Sequence, residues 1–327
     1  MGSVVVSVDA ELGWGFLDLH PPPADRIERC RRGWHALREA FEAYDVPATW
    51  AVVGHLMLED CDGRHVDHPA PAGWFERERT DWKDRPDLRF GPDLVRSVLE
   101  SPVDHEFASH SFSHVLFGAP STDRDLARAE FERALELADE WGLECSSFIY
   151  PRNDVGHRAA LAEAGFTAYR GRTSTPEGFR AVLETGLGGR SVLVEPTVDE
   201  HGLVNVPASL FCFGFEGVAR TVAESVWTDP MVVTARRAID QAVAADDDRL
   251  CHLWLHPNNL TTDRDDERMR AILAYIDKQR RETDLTVETM DEVAARVGES
   301  TENADEYGNT DEDGLETSIT QTVGGDD

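Results

Sequence analysis

The stretch "VVVSVDAELGWG", residues 4–15, begins as a buried strand and ends in acid. Val4 to Val8 is a near-continuous apolar run of β-branched residues, the pattern of a strand covered on both faces. Asp9 and Glu11 follow at its carboxyl end, and then Gly13, Trp14 and Gly15. Carboxylates are costly beside an apolar core, so a pair of them there demands a chemical reason.

Outward from this strand, helix and strand patterns alternate. Residues 24–44 carry apolar side chains at helical spacing, with Asp25 near the start, and "ATWAVVG" (48–54) reads as the next strand. Residues 59–90 are polar, aromatic and Pro-bearing, and read as a long excursion from the core. Strand patterns at 105–109, 146–150, 167–171 and 249–256 are interleaved with helical ones at 121–142, 156–165 and 263–282. Between 172 and 247 only a hairpin around 191–209 and a helix near 229–245 stand out. A short strand, "LTVE", precedes a terminal helix expected to end near Val297. From Gly298 the chain is acidic and lacks apolar periodicity. The expected organisation is therefore one catalytic domain over 1–297 and a disordered acidic tail over 298–327. The alternation predicts an α/β fold with a mostly parallel sheet, either open or closed into a barrel, with chemistry at the carboxyl ends of the strands.

Charge narrows the partners. The 327 residues include 63 Asp plus Glu against 32 Lys plus Arg, a net −31, and Lys83 and Lys278 are the only lysines. A field of this sign repels nucleic acid and anionic membranes, so neither is expected as a partner. The acid excess runs through the folded region, as expected of a halophilic protein: at 1 M salt the Debye length is about 3 Å and self-repulsion is screened. No basic segment followed by an apolar leader opens the chain, and no apolar run is long enough to span a bilayer, so a cytoplasmic location is expected. The five cysteines have no C-x-x-C spacing and read as reduced thiols.

The strand ends hold a set of chemically active residues. Besides Asp9 and Glu11 there are His110 and His114 in "SHSFSH", Arg152 and Asn153 in "YPRND", Arg170 in "YRG", and His256 and Asn258 in "LHPNN". Four-residue spacing places two imidazoles on one face of a helical turn. Two His plus one carboxylate suit Zn²⁺ or a similar divalent ion, with positions left for water and substrate. Other hydrolytic patterns fit worse. Ser111 stands where the zincin motif needs Glu, and both the P-C-x-x-C deaminase motif and a G-x-S-x-G nucleophile elbow are absent.

Taken in order, "SVDAELGWG", "SHSFSH", "FIYPRND" and "LWLHPNN", spread over residues 4–259, resemble the motifs of the polysaccharide deacetylase superfamily, carbohydrate esterase family 4. The resemblance implies a distorted (β/α) barrel of about seven parallel strands and hydrolysis of an acetamide on a sugar. It also implies one divalent metal ion, expected to be Zn²⁺, on Glu11, His110 and His114. Asp9, held near Arg152, would be the base and His256 the acid that protonates the leaving amine. Trp14, Asn153, Arg170 and Asn258 are the expected substrate contacts. Two departures are specific to this chain. Asp9 and Glu11 are separated by Ala10 where the common motif has adjacent aspartates, as in a D-x-[DE] branch of the superfamily. Residues two apart share a strand face, so the chain allows Asp9 as base with Glu11 as ligand, which we adopt, or the reverse. "YPRN" also carries the elements of the usual R-x-P-Y in another order. The alternatives are another C–N hydrolase that opens a cyclic ureide or imide, and a non-catalytic carbohydrate-binding relative. A cytoplasmic enzyme would act on a nucleotide- or lipid-linked sugar precursor.

Overall fold

The protein is described by a computed structural model covering residues 2–172, 191–213, 229–260 and 262–308. Its organising element is the strand quoted above. β1 (Ser3–Ala10) is buried along its whole length because it has parallel neighbours on both sides. On one side β9 (Leu250–Leu255) pairs with Ser3 to Val8. On the other, β10 (Thr286–Glu288) takes Ser3 to Val5 and β2 (Thr49–Val52) takes Ser7 to Ala10. From β2 the sheet continues in parallel through β3 (Glu106–Ser109), β4 (Ser147–Ile149) and β5 (Ala168–Arg170).

The segment after β5 shapes the sheet. β7 (Val204–Asn205) pairs in parallel with β5 and, as a hairpin, antiparallel with β6 (Thr197–Val198). A few residues later β8 (Leu210–Phe211) pairs in parallel with β9. The chain from Val204 to Phe211 therefore runs from one end of the strand path to the other, which curls the sheet and brings β5 to face β1. The result is a curled, mostly parallel α/β sheet, consistent with a distorted barrel. The described residues contain ten strands rather than the expected seven or so. β6, β7 and β8 have two residues each, too few for a side-chain period to show.

Helices cover the outside. α1 (Ala24–Tyr44) buries Ile27, Trp34, Leu37 and Phe41 in one cluster with Val4, Val6, Val8 and Trp50. The excursion holds one short α-helix, α2 (Glu76–Arg79), and a 3-10 turn (Pro86–Leu88), and is followed by α3 (Pro92–Leu99). α4 (Arg124–Glu140) starts at Asp123, whose side chain accepts from the Leu126 N–H, and packs with α5 (Arg158–Ala164) over Phe117, Phe131 and Phe148. α6 (Pro230–Val243) and α7 (Asp263–Glu282) complete the cover of β1 and β9. Thr262 and Asp265 form a reciprocal capping box at the start of α7. α8 (Met290–Gly308) does not stop near Val297. One glycine inside a helix costs about 1 kcal/mol, too little for Gly298 to end it. The expected tail is thus helical from Gly298 to Gly308, and its remainder lies outside the described residues. No helix among the described residues is long and apolar enough to cross a membrane.

Candidate active site

Asp9 sits near the carboxyl end of β1 and Glu11 just beyond it, both almost fully buried. His110 and His114 follow β3, but the segment between them is not helical. It is an irregular bend in which Ser111 and His114 adopt left-handed φ values of 65° and 62°. Serine side chains fold it: Ser109 Oγ accepts from the Ser111 N–H and Ser111 Oγ from the His114 N–H. Glu130 of α4 clamps it from beneath, accepting from both the N–H and the hydroxyl of Ser113. The two imidazoles converge because of this bend, and the expected helical face is replaced by it. Non-glycine residues held at positive φ are strained, and such strain concentrates where geometry has to be held.

Glu11, His110 and His114 bring one ligand atom each to within 4.8 Å of one another. His114 Nε2 lies 3.0 Å and His110 Nε2 3.6 Å from Glu11 Oε2. His110 Nδ1 is 2.7 Å from the Ile149 carbonyl oxygen, which can only accept, so the ring proton is on Nδ1 and Nε2 presents a lone pair. That Nε2 is buried and has no hydrogen-bond partner. Burial pushes the Glu11 carboxyl up, but His256, His110 and His114 outweigh it and hold the group well below the usual carboxylate range. Burial holds His114 below the ordinary histidine value, against the pull of Glu11. An anionic carboxylate and two imidazole lone pairs fit a divalent cation. Gly15 is part of the same construction. A Cβ there would stand 2.0 Å from Glu11 Oε1, so the carboxylate occupies the space a side chain would take.

Asp9 is paired with Arg170 and not with Arg152. Arg170 reaches across the curled sheet from β5 and donates to both Asp9 oxygens at 2.7 Å. Arg170 is itself fully buried and lies over the Trp254 ring, 4.5 Å from its centroid. Its remaining bonds go to Ser7 Oγ and Asn153 Oδ1, and Ser7 Oγ lies 2.8 Å from His252 Nε2. Burial pushes Asp9 up, but the Arg170 charge and hydrogen bonds overcome it and hold the carboxyl below its usual range. Arg152 instead pairs with Asp18 at 2.6 Å on the cleft rim, with about half of its side chain exposed. His256 Nε2 lies 3.8 Å from Asp9 Oδ2 and 3.7 Å from Glu11 Oε1. Asn258 lines the same cleft and accepts from Arg26. Trp14 does not line it. Its side chain is fully buried against His55, Phe75 and Trp82, and its indole N–H donates to the Arg89 carbonyl.

No family model and no curated protein matches this sequence. Solved structures do resemble it. A protein assigned as a polysaccharide deacetylase from Mycobacterium smegmatis superposes with a TM-score of 0.58 at 18% identity, over 92% of each chain. A second such assignment, from Pseudomonas aeruginosa PAO1, gives 0.55 at 13% identity over 90% of this chain and 89% of that one. Puue allantoinase gives 0.55 at 14% identity over 90% and 88%. The chain has the polysaccharide deacetylase fold.

In this deacetylase fold the acids open into a cleft of about 520 Å³. Phe16, Phe211, Phe213 and Trp254 line it, with Phe211 stacked on Trp254 at 4.1 Å. Arg26, Arg152, Asn153 and Asn258 line it as well, and the Arg26 guanidinium lies over the Phe16 ring. A smaller cavity of about 310 Å³, lined by Trp34, Trp50 and His105, lies at the opposite, amino end of β3 and holds none of the rim acids or histidines. Asp9, Glu11, His114 and His256 line the cleft of about 520 Å³ instead. Ser7, Glu130 and His252 escaped the sequence reading because they sit inside strand or helix patterns, where a polar residue is indistinguishable from a half-buried one. Trp254 read only as an apolar strand residue, and Phe211 fell in a stretch with no readable pattern.

Proposed function

We propose that the protein is a metal-dependent hydrolase that removes an N-acetyl group from a sugar or sugar precursor. The observation that carries this is the convergence, in one cleft of the deacetylase fold, of a Glu11–His110–His114 ligand group with an arginine-paired Asp9 and with His256. Glu11, His110 and His114 would hold one divalent ion, Zn²⁺ by donor type, and that ion would acidify water and polarise the amide carbonyl.

The remaining steps fall to the chain itself. Asp9 retains lone pairs beyond the two that Arg170 engages, so it can accept the water proton while Arg170 fixes its orientation. His256, within 4 Å of both acids, is placed to hand a proton to the departing amine. Arg152, Asn153 and Asn258 can bond sugar hydroxyls, and the Phe211–Trp254 wall gives an apolar face for the ring. A cytoplasmic, halophilic enzyme of the D-x-E branch acting on a sugar precursor is the full reading. A second reading, opening of a cyclic ureide, is favoured by the likeness to the allantoinase fold.

Metal analysis of the purified protein, with acetate release from a panel of N-acetyl sugars, tests both. Glu11→Gln should lose metal and activity together. Asp9→Asn should keep the metal while turnover falls by about 10² to 10⁴. The opposite pattern exchanges the two roles. Turnover of cyclic ureides without acetate release selects the second reading, and sugar binding without any turnover overturns both.

A further inference from the structure

The excursion from residue 59 to 90 carries three of four metal-ligating side chains that converge on one point, away from the active-site group. His55 stands on the 3-10 turn (Gly54–Met57) after β2. Cys61 and His65 come from the loop, and Glu78 from α2. One ligand atom from each lies within 4.8 Å of all the others. His65 Nε2 is 3.2 Å from Cys61 Sγ, 3.4 Å from His55 Nε2 and 2.8 Å from Glu78 Oε1. His55 Nε2 is 3.0 Å from Glu78 Oε2. An imidazole nitrogen has at most one proton to give, so hydrogen bonding cannot account for three groups gathered on His65 Nε2. A cation can. Metal–ligand bonds of about 2.0–2.3 Å at tetrahedral angles set ligand atoms about 3.3–3.7 Å apart, and the observed spacings of 2.8, 3.0, 3.2 and 3.4 Å run from within that range to about 0.5 Å below it.

The surroundings also suit an ion. The Gly63 N–H donates to Cys61 Sγ at 3.3 Å from a turn whose φ of 68° suits glycine. Arg89 donates to Glu78 Oε2 at 3.1 Å and orients the carboxylate. His55 and Glu78 are buried, whereas His65 faces a cleft of about 710 Å³ shared with Asp62 and His68, which gives a path of entry.

We propose that His55, Cys61, His65 and Glu78 form a second metal site, distinct from Glu11, His110 and His114, that holds a structural Zn²⁺ and pins the excursion to the sheet. Four protein ligands of N, S and O type leave no open position, which is the pattern of a structural zinc. The site braces the active-site loop directly: the Gly54 and His55 N–H groups donate to the Ser111 and Phe112 carbonyls, between the two active-site histidines.

Cobalt reports this site separately from the other. Cys61 is the only thiol in either ligand group, so a thiolate-to-cobalt charge-transfer band arises here and not at Glu11. Full-length protein, stripped of metal and reloaded with Co²⁺, should show that band, and His110→Ala should keep it. Cys61→Ser should lose it and carry one zinc fewer per chain than the wild type, and His65→Ala should lower the zinc content in the same way. A wild-type cobalt spectrum without the thiolate band overturns the proposal, as does wild-type zinc content in Cys61→Ser. If the active-site reading alone is wrong, the band persists and His110→Ala carries as much metal as the wild type.

Discussion

Asp9 is an anion held almost out of water, and both of its oxygens are bonded to a single guanidinium. Breaking such a buried pair by removing one partner costs about 3–5 kcal/mol, whereas an exposed pair is worth about 0–1 kcal/mol. Arg170→Met should therefore lower the melting temperature markedly and Arg152→Ala hardly at all, as thermal unfolding will show. Activity should separate them too. Arg170 holds the Asp9 carboxyl down, so its loss leaves burial unopposed, and the acid limb of the pH–rate profile should move to higher pH. The matching stability term is present above the ordinary aspartate pKa and lost as pH falls through the depressed one. Gly15→Ala makes a different demand. The three atoms nearest the new Cβ all belong to the movable end of Glu11, and Gly15 is not at positive φ, so metal content should fall while the melting temperature changes little.

At the scale of elements, a single buried carboxyl joins three pieces. Glu106, at the start of β3, accepts from Thr49 of β2 and from the Met290 N–H that opens α8. Burial, with the charge of Asp291, pushes this carboxyl up to about 7. A raised folded-state value means stability that is complete below the unfolded value and is lost as pH rises through 7. From about pH 5 to 8 this group should remove up to about 3 kcal/mol. Urea unfolding at several pH values should show the decline, and Glu106→Gln should flatten it. If the variant keeps the wild-type slope, the pH dependence originates elsewhere.

Over the whole molecule, a net charge of −31 opposes compaction. Exposed ion pairs such as Arg124–Glu163 and Arg128–Glu132 offset little of it, since each is worth about 0–1 kcal/mol and weakens in salt. Screening the general repulsion therefore outweighs weakening these pairs. The melting temperature should rise substantially between dilute buffer and molar KCl. Equal melts in the two would mean that the acid excess is not an adaptation to salt.

The order of elements was legible in the sequence, because apolar period and capping are local signals: α1 and α7 occupy the spans the pattern predicts. The gathering of Asp9, Glu11, His110, His114 and His256 at the strand ends was legible as well, because each sits at the end of an apolar strand run. Partnership was not legible. Arg170 meets Asp9 because the sheet curls until β5 faces β1, and no local signal distinguishes it from Arg152. Trp14 looked like a site residue by proximity to the acids, yet it packs inward on the excursion. His55, just past β2, and Cys61, His65 and Glu78, in the polar excursion, were unremarkable until the fold set them side by side. Periodicity is a property of neighbours along the chain, whereas ion pairing and metal ligation depend on distances across it, and only packing sets those.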